Sequence, residues 1–378
     1  MGNYLKKALF VFLLIVLCFW IITLFIPQEA LSPDSVDREK KETLSKIKKK
    51  TLFSGKNSSS WLGRPLLLEK EGFWILVYRK ANQHTFSHDS RLHIRFSKNQ
   101  GDSWTDEDVY IDGSPVSGFP IKGHSDFEVA GGCLAKAPNE DLILLVREER
   151  GVNGTYVWRS KDGGMSWADE GQINGDNTLL MGGQVVVVGE DLYASFWADP
   201  DADFSPPYKT VLYKSRDNGL SWKHLSDIAS GGTDESALAY LGEKEILAVL
   251  RDTDSAETYF RKSKDLGQSW GPLEVATDSL GVLQRPKLRV FPNEPERVYL
   301  FGRDSLPGNQ NKTVVYYSDD GGFSWSFKFY PEENSYLDAG YCDMLRRTNG
   351  VFYMLSYAGT SFETDIKEYL FKRTGVEN

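Results

Sequence analysis

Five polar side chains of this sequence stand in one repeated setting. The stretches RFSKNQGDSW, WRSKDGGMSW, YKSRDNGLSW, RKSKDLGQSW and YYSDDGGFSW share a frame of Ser, one residue, Asp, one residue, Gly, two residues, Trp. Asn99 takes the acidic position in the first, and Asp162, Asp217, Asp265 and Asp320 take it in the others. A carboxylate could serve there as an acid, a base or a metal ligand. Equivalent acids, one per repeat, cannot converge on one reacting centre, so their expected work is structural. Asp accepts N–H bonds across a tight turn, Gly supplies a conformation that a Cβ hinders, Ser bonds back to the loop and Trp covers it. Metal chemistry lacks a zinc-type donor set, because the three cysteines stand far apart and include no pair at ligand spacing. No metal and no cofactor is expected. A second recurrence is cationic: Arg79, Arg147, Arg251 and Arg303 each close an apolar run of ILVYR type. That pattern fits a scaffold as well as a ligand site.

The elements that must position these residues follow from the spacing. The frame serines stand at 97, 160, 215, 263 and 318, and each interval holds three apolar or alternating runs. Between the third and fourth frames the runs read ESALAYLG, EILAVLRD and TYFRKS. Two such runs and a frame-bearing hairpin make one four-stranded unit. Beyond Trp325, the runs AGYCDMLRR, VFYMLSYAG and DIKEYLFKR make a sixth unit without a frame. Units of this size suit radial repetition about an axis, so the fold expected is all-β, a six-bladed propeller. Pairing of residues near 51–60 onto the last blade is expected to close the ring and remove two exposed sheet edges.

Bulk composition agrees with that architecture. The chain has 378 residues, 34 of them glycine, and is 13% aromatic, which suits many short strands joined by tight turns. A net charge of -9 argues against a nucleic-acid partner. The lysines of REKKETLSKIKKK are interleaved with acids and read as a solvated stalk. Three cysteines are too few for a disulfide framework, and Cys133 and Cys342 read as small buried hydrophobes. At the N-terminus, Lys6 and Lys7 precede ALFVFLLIVLCFWIITLFI, an uncharged run from Ala8 to Ile26 that is long enough to span a bilayer. No small-x-small cleavage site follows it. The expected organisation is a cytoplasmic tail 1–7, a transmembrane signal anchor 8–26, a charged stalk 27–50 and a propeller 51–378. The propeller would then lie outside the cytoplasm, in the periplasm or the extracellular space. A cleaved secretion signal is the alternative.

The repeated frame resembles the Asp-box of the sialidase (neuraminidase) superfamily, and the resemblance covers roughly residues 51–378. Non-catalytic propellers carry such boxes too, so the discriminating residues lie outside them. Arg64-Pro65 in LGRPLLLEK is similar to the family's Arg-Ile-Pro motif, without the isoleucine, whose arginine clamps a substrate carboxylate. Asp89, eight residues before the first frame serine, matches the family's acid/base aspartate. Asp126 in GHSDFEV falls where sialidases carry an aspartate that contacts a sugar hydroxyl, with Arg79 as a companion. GTDESALAYLGEKEILAVLRD resembles the segment carrying a glutamate and the second clamp arginine, here Glu235 and Arg251. DAGYCDMLRR is similar to the nucleophile strand and gives Tyr341 the tyrosine role. The family's third clamp arginine has no match before the last frame, where Lys312 stands; Arg303 and Arg285 are the other candidates for that cation.

The resemblance implies retaining exo-glycoside hydrolysis, without metal, of a terminal sialic acid or related acidic sugar on a glycoconjugate. A sialoside carries a carboxylate on its anomeric carbon, so a carboxylate nucleophile would approach against like charge. Tyrosine avoids that repulsion. Glu235 would take the phenolic proton, and Asp89 would protonate the leaving oxygen and then activate water. Arginines suit the clamp because their planar forks grip carboxylates in bidentate fashion. Two alternatives stand beside this reading: a glycosidase of the same fold acting on a different sugar, and a non-catalytic propeller for ligand binding or assembly.

Overall fold

The computed structural model describes residues 43–374, apart from 57–58, 86, 88–89, 106–108, 112–113, 117–128, 150–152, 177, 202–206 and 309. Asp89, Asp126 and the apolar run 8–26 lie outside the described residues. Among the described residues no helix is long and apolar enough to cross a membrane.

Six sheets surround one axis as the blades of a propeller. Their inner strands are Trp61–Lys70, Val129–Lys136, Leu179–Val188, Thr233–Gly242, Leu283–Phe291 and Asp338–Arg346. Each inner strand neighbours the next, and the sixth neighbours the first, so the ring is closed. Blades pack face to face, which buries second strands from both sides. Phe352–Gly359 of blade six is buried along its whole length. This explains why such segments read as continuous apolar runs rather than as alternating ones. Aromatic residues fill the seams: Trp61 and Trp74 of blade one pack with Tyr353 and Tyr357 of blade six.

The five frames form turns of one kind after the third strand of blades one to five. In the second, Gly164 N–H donates to Ser160 Oγ at 2.7 Å, Ser160 Oγ donates to Asp162 Oδ1 at 2.8 Å, and that oxygen accepts Ser166 N–H at 2.8 Å. The glycines also face the preceding blade. A Cβ on Gly101, Gly219, Gly267 or Gly322 would lie within about 2.7 Å of Tyr353, Ile143, Leu212 or Leu247 respectively. The frame thus sets a hairpin and lets two blades meet over it.

Two details differ from the sequence expectation. Blade one has three strands, and Val109–Ile111, which follows its frame, pairs in parallel with Ser166–Gln172 of blade two. Ring closure also begins earlier than residue 51: Thr43–Ser54 pairs antiparallel with Thr364–Thr374 as the outer strand of blade six. The lysine run belongs to that strand because acids receive it. Lys46 meets Glu333 at 2.8 Å, Lys49 meets Glu332 at 2.7 Å and Lys50 meets Glu368 at 3.1 Å. An outer strand keeps one edge in water, where lysines also discourage pairing with another chain.

Every inner strand breaks register with its neighbour close to its start. The breaks fall at Gly63/Leu66, Val129/Gly131, Gly182/Val185, Thr233/Ser236, Gln284/Lys287 and Ala339/Cys342. A bulge re-aims the side chain it carries. Six of them make a ring of re-aimed positions around the axis.

Candidate active site

A depression at the axis is lined by residues of all six blades, among them Arg64, Gly132, Gly183, Ser236, Arg285 and Tyr341. Arg64 and Arg285 are twins. Both precede proline, in LGRPL and LQRPK, and both have left-handed backbones, with φ of 56° and 50°. A non-glycine residue held there stores about 1–3 kcal/mol of strain, sustained only where the surrounding sheet over-determines it. Arg64 makes no hydrogen bond to a described residue, and its buried Nε is unpartnered. Its guanidinium lies 5.7 Å from the centroid of the Tyr341 ring.

Glu235 sits in the bulge of blade four, and arginines dictate its state. Its Oε2 accepts the Arg285 backbone N–H at 2.7 Å and Arg251 Nη1 at 2.9 Å, while Oε1 lies 3.9 Å from Arg285 Nε. Burial alone would push this carboxyl up, but Arg251, Arg285 and Arg64 together hold it below the usual carboxylate range. It is therefore ionised at neutral pH. Arg251 stands opposite the bulge, on the second strand, and is committed on three sides. It donates Nε to Asp234 Oδ1 at 2.8 Å, Nη2 to Asp234 Oδ2, and Nη1 to Glu235. Burial opposes its charge, yet Glu235 and Asp234 raise its pKa. Arg251 braces Glu235 as much as it presents charge to a ligand.

Tyr341 follows Gly340, whose φ of 101° and missing side chain let Arg303 approach the strand. A Cβ on Gly340 would lie 2.9 Å from Arg303 Cβ. Arg303 lies over the Tyr341 ring, 4.1 Å from its centroid, and the rings of His84 and Tyr357 stand edge-on at 5.6 and 5.7 Å. The Tyr341 hydroxyl makes no hydrogen bond to a described residue, Glu235 included. Arg303 itself is fully engaged, with Nε on Ala339 O at 2.5 Å, Nη1 on Gln284 Oε1 at 3.1 Å, and Nη2 on Asp338 Oδ1 at 2.7 Å and on the Tyr357 hydroxyl.

Arg64, Glu235, Arg251, Arg285, Arg303 and Tyr341 are thus brought together at one end of the axis. Arg79 and Lys312 are placed differently. Arg79 is fully buried and donates to the carbonyls of Gln83 and His84 at 3.0 and 2.9 Å, so it holds a loop rather than lining the depression. Lys312 lies on a third strand, with its ammonium over Tyr330 at 5.0 Å. Among the three candidate third cations, Arg285 is the one that lines the depression. Sequence reading passed over His84 and Asp338, which stand against Tyr341 and Arg303. The paired Arg-Pro dipeptides were the available signal for Arg285; nothing comparable marks His84.

The unpartnered Arg64 and Arg285, whose guanidinium meets Glu235 only at 3.9 Å, stand beside a phenol and an ionised carboxylate, an arrangement able to receive an anion. A model of the BNR repeat-like domain matches residues 85–354. No curated protein matches the chain by sequence. Among solved structures, a Dyadobacter fermentans protein of unknown function is similar at 17% identity and TM-score 0.69, over 87% of this chain and 99% of that one. The Hadza microbial sialidase Hz136 is similar at 15% identity and TM-score 0.64, over 86% of this chain and 68% of its own. A Trypanosoma rangeli sialidase, solved with 2,3-difluoro-KDN, is similar at 15% identity and TM-score 0.63, over 86% of this chain; the match spans 58% of that sialidase. At such identities the likeness is one of fold.

Proposed function

The chain belongs to the BNR repeat-like domain family, with a six-bladed propeller like that of sialidases, and from that premise we propose that it is a retaining exo-glycoside hydrolase acting on a terminal sugar that carries a carboxylate, a sialic acid or a close relative. One observation carries the reading: Arg64 and Arg285, the least committed cations of the site, line the same depression as Tyr341, with ionised Glu235 held against Arg285. In this reading the sugar carboxylate lies between the two arginines. Glu235, through its freer Oε1, takes the phenolic proton as the Tyr341 oxygen bonds to the anomeric carbon. The bond to the leaving oxygen breaks, and that oxygen is protonated by Asp89, the residue the family resemblance assigns. Water, deprotonated by the same aspartate, then attacks the anomeric carbon and breaks its bond to Tyr341, whose oxygen takes back the proton held by Glu235.

The test compares a methylumbelliferyl sialoside with the matching neutral galactoside, before and after Arg64→Ala. Preferential turnover of the sialoside, reduced by Arg64→Ala, is the expected result. Preference for the galactoside, unchanged by loss of Arg64, would falsify the acidic-sugar assignment. A second reading, an anion-binding propeller without turnover, is favoured by the lack of a hydrogen bond between Tyr341 and Glu235. Binding of free sialic acid with no hydrolysis would select it. The proposal extends to location: residues 8–26 anchor the chain and place the propeller outside the cytoplasm. Recovery of the intact chain in the soluble fraction would remove that part.

A further inference from the structure

Arg64 and Arg285 can only donate hydrogen bonds, and Glu235 already accepts from Arg251 and Arg285. A polyhydroxylated sugar also brings O–H donors, which need acceptors. His84 supplies one, packed edge-on against the Tyr341 ring. Its loop follows the second strand of blade one and is fixed at both ends of the residue: its N–H donates to Ser361 O at 2.9 Å, and its carbonyl accepts from Arg79 at 2.9 Å. The imidazole stacks on Trp61, 4.9 Å between centroids, and meets the Tyr341 ring edge-on.

Asp338 orients that imidazole. Its Oδ2 lies 2.8 Å from His84 Nδ1 and accepts Trp61 Nε1 at 2.7 Å, while Oδ1 accepts Tyr357 and Arg303, each at 2.7 Å. Burial opposes ionisation, but His84, Arg303 and the indole N–H bring this carboxyl down to about 2. An ionised carboxylate only accepts, so Nδ1 carries the proton and Nε2 keeps its lone pair. Nε2 makes no hydrogen bond to a described residue and is not among the buried unpartnered atoms. Among the described residues, the groups facing His84 are Asp338, Arg64, Arg303, Tyr341, Tyr357 and Trp61. Burial foremost, with Arg64 and Arg303, outweighs Asp338 and lowers the imidazole pKa to about 4. At neutral pH it is an acceptor.

We propose that His84, fixed by Asp338, is a substrate-contacting residue that accepts a hydrogen bond from a hydroxyl of the bound sugar through Nε2, beside Tyr341. The inference rests on the glycosidase reading of this pocket. It is tested with the full chain by ligand-observed NMR titration of free N-acetylneuraminic acid and by turnover of the methylumbelliferyl sialoside. His84→Phe keeps a ring against Trp61 and Tyr341 but has no acceptor; His84→Gln restores one. Binding should weaken about tenfold in His84→Phe, with the Michaelis constant rising more than turnover falls. His84→Gln should regain most of the loss. Wild-type affinity should drop as pH falls through about 4, and His84→Gln should lack that step. His93, also lowered to about 4 and present in both proteins, is the internal control. Equal binding by wild type and His84→Phe overturns the inference and leaves the hydrolase reading intact. Binding that depends on His84 without wild-type turnover overturns the hydrolase reading and leaves the His84 contact intact. No binding by the wild type overturns both.

Discussion

A carboxylate between Arg64 and Arg285 would meet two guanidinium groups that few described residues engage, whereas Arg251 and Arg303 are held by Asp234 and Asp338. The two classes should therefore respond differently to substitution. Arg285→Ala is expected to raise the Michaelis constant of a sialoside about tenfold, and Lys312→Ala to leave it unchanged, because Lys312 rests on Tyr330. The reverse order in steady-state kinetics would return the third-cation role to Lys312. Tyr341→Phe and Glu235→Gln should each lower turnover by about a hundredfold or more. The double variant should be little worse than either, since the pair acts as a unit. Burst kinetics and single-turnover rates read this directly. Arg64, Glu235, Arg251 and Tyr341 were legible in the sequence because each sits in a local pattern. The contact of Arg285 with Glu235 was not, because it joins bulges on different blades, fifty residues apart. His84 and Asp338 lie farther apart still, at 254 residues, and only the closing of blade six against blade one brings them together.

At the scale of elements, the frames and the bulges divide the work between the two ends of each blade. Glycine stands at two positions of these turns: the frame position, as Gly267, and the variable position just before it, as Gly163. Gly163 has a φ of 74° and open space where a Cβ would stand; Gly267 has a φ of 80° and Leu212 Cδ2 at 2.1 Å. Gly163→Ala should then cost only the backbone strain, about 1 kcal/mol. Gly267→Ala must also displace a buried leucine, and about 2–3 kcal/mol in total is expected. Chemical denaturation of the two variants checks the difference, and equal losses would remove the inter-blade role of the glycine. Five of the six blades were countable from their frames, since a turn needing Ser, Asp and Gly leaves a mark in sequence. The parallel pairing of Val109–Ile111 left none: three residues carry no periodicity.

For the whole molecule, stability depends on the closing strand and on two partly buried imidazoles. A chain beginning at Thr43 should fold, and one beginning at Gly55 should not stay monomeric, because Glu332 loses Lys49, Glu368 loses Lys50 and Thr364–Thr374 becomes a bare edge. Size-exclusion profiles of the two truncations distinguish these outcomes. The strand start at Thr43 was hidden by its charge, which reads as stalk until its acidic partners are seen. His84 and His93 both have folded pKa values near 4, below the ordinary 6.5, with burial the main cause. The unfolded chain thus binds more protons between those values, so stability is complete above about pH 6.5 and lost progressively toward pH 4. Denaturation midpoints across that window should show the slope, and His84→Gln should reduce it. The ring of bulges has one further consequence. Its backbone repeats six times, but its chemistry occupies one arc: blades four, five, six and one present Glu235, Arg285, Tyr341 and Arg64. Blades two and three present Gly132 and Gly183, where a Cβ would lie 1.7 Å from Leu145 O and 2.4 Å from Ser236 Oγ. The pocket therefore has a front that grips and a back that is bare. A guest at the axis would meet both arcs in one orientation only, so the broken symmetry fixes how a bound molecule would be turned about the axis.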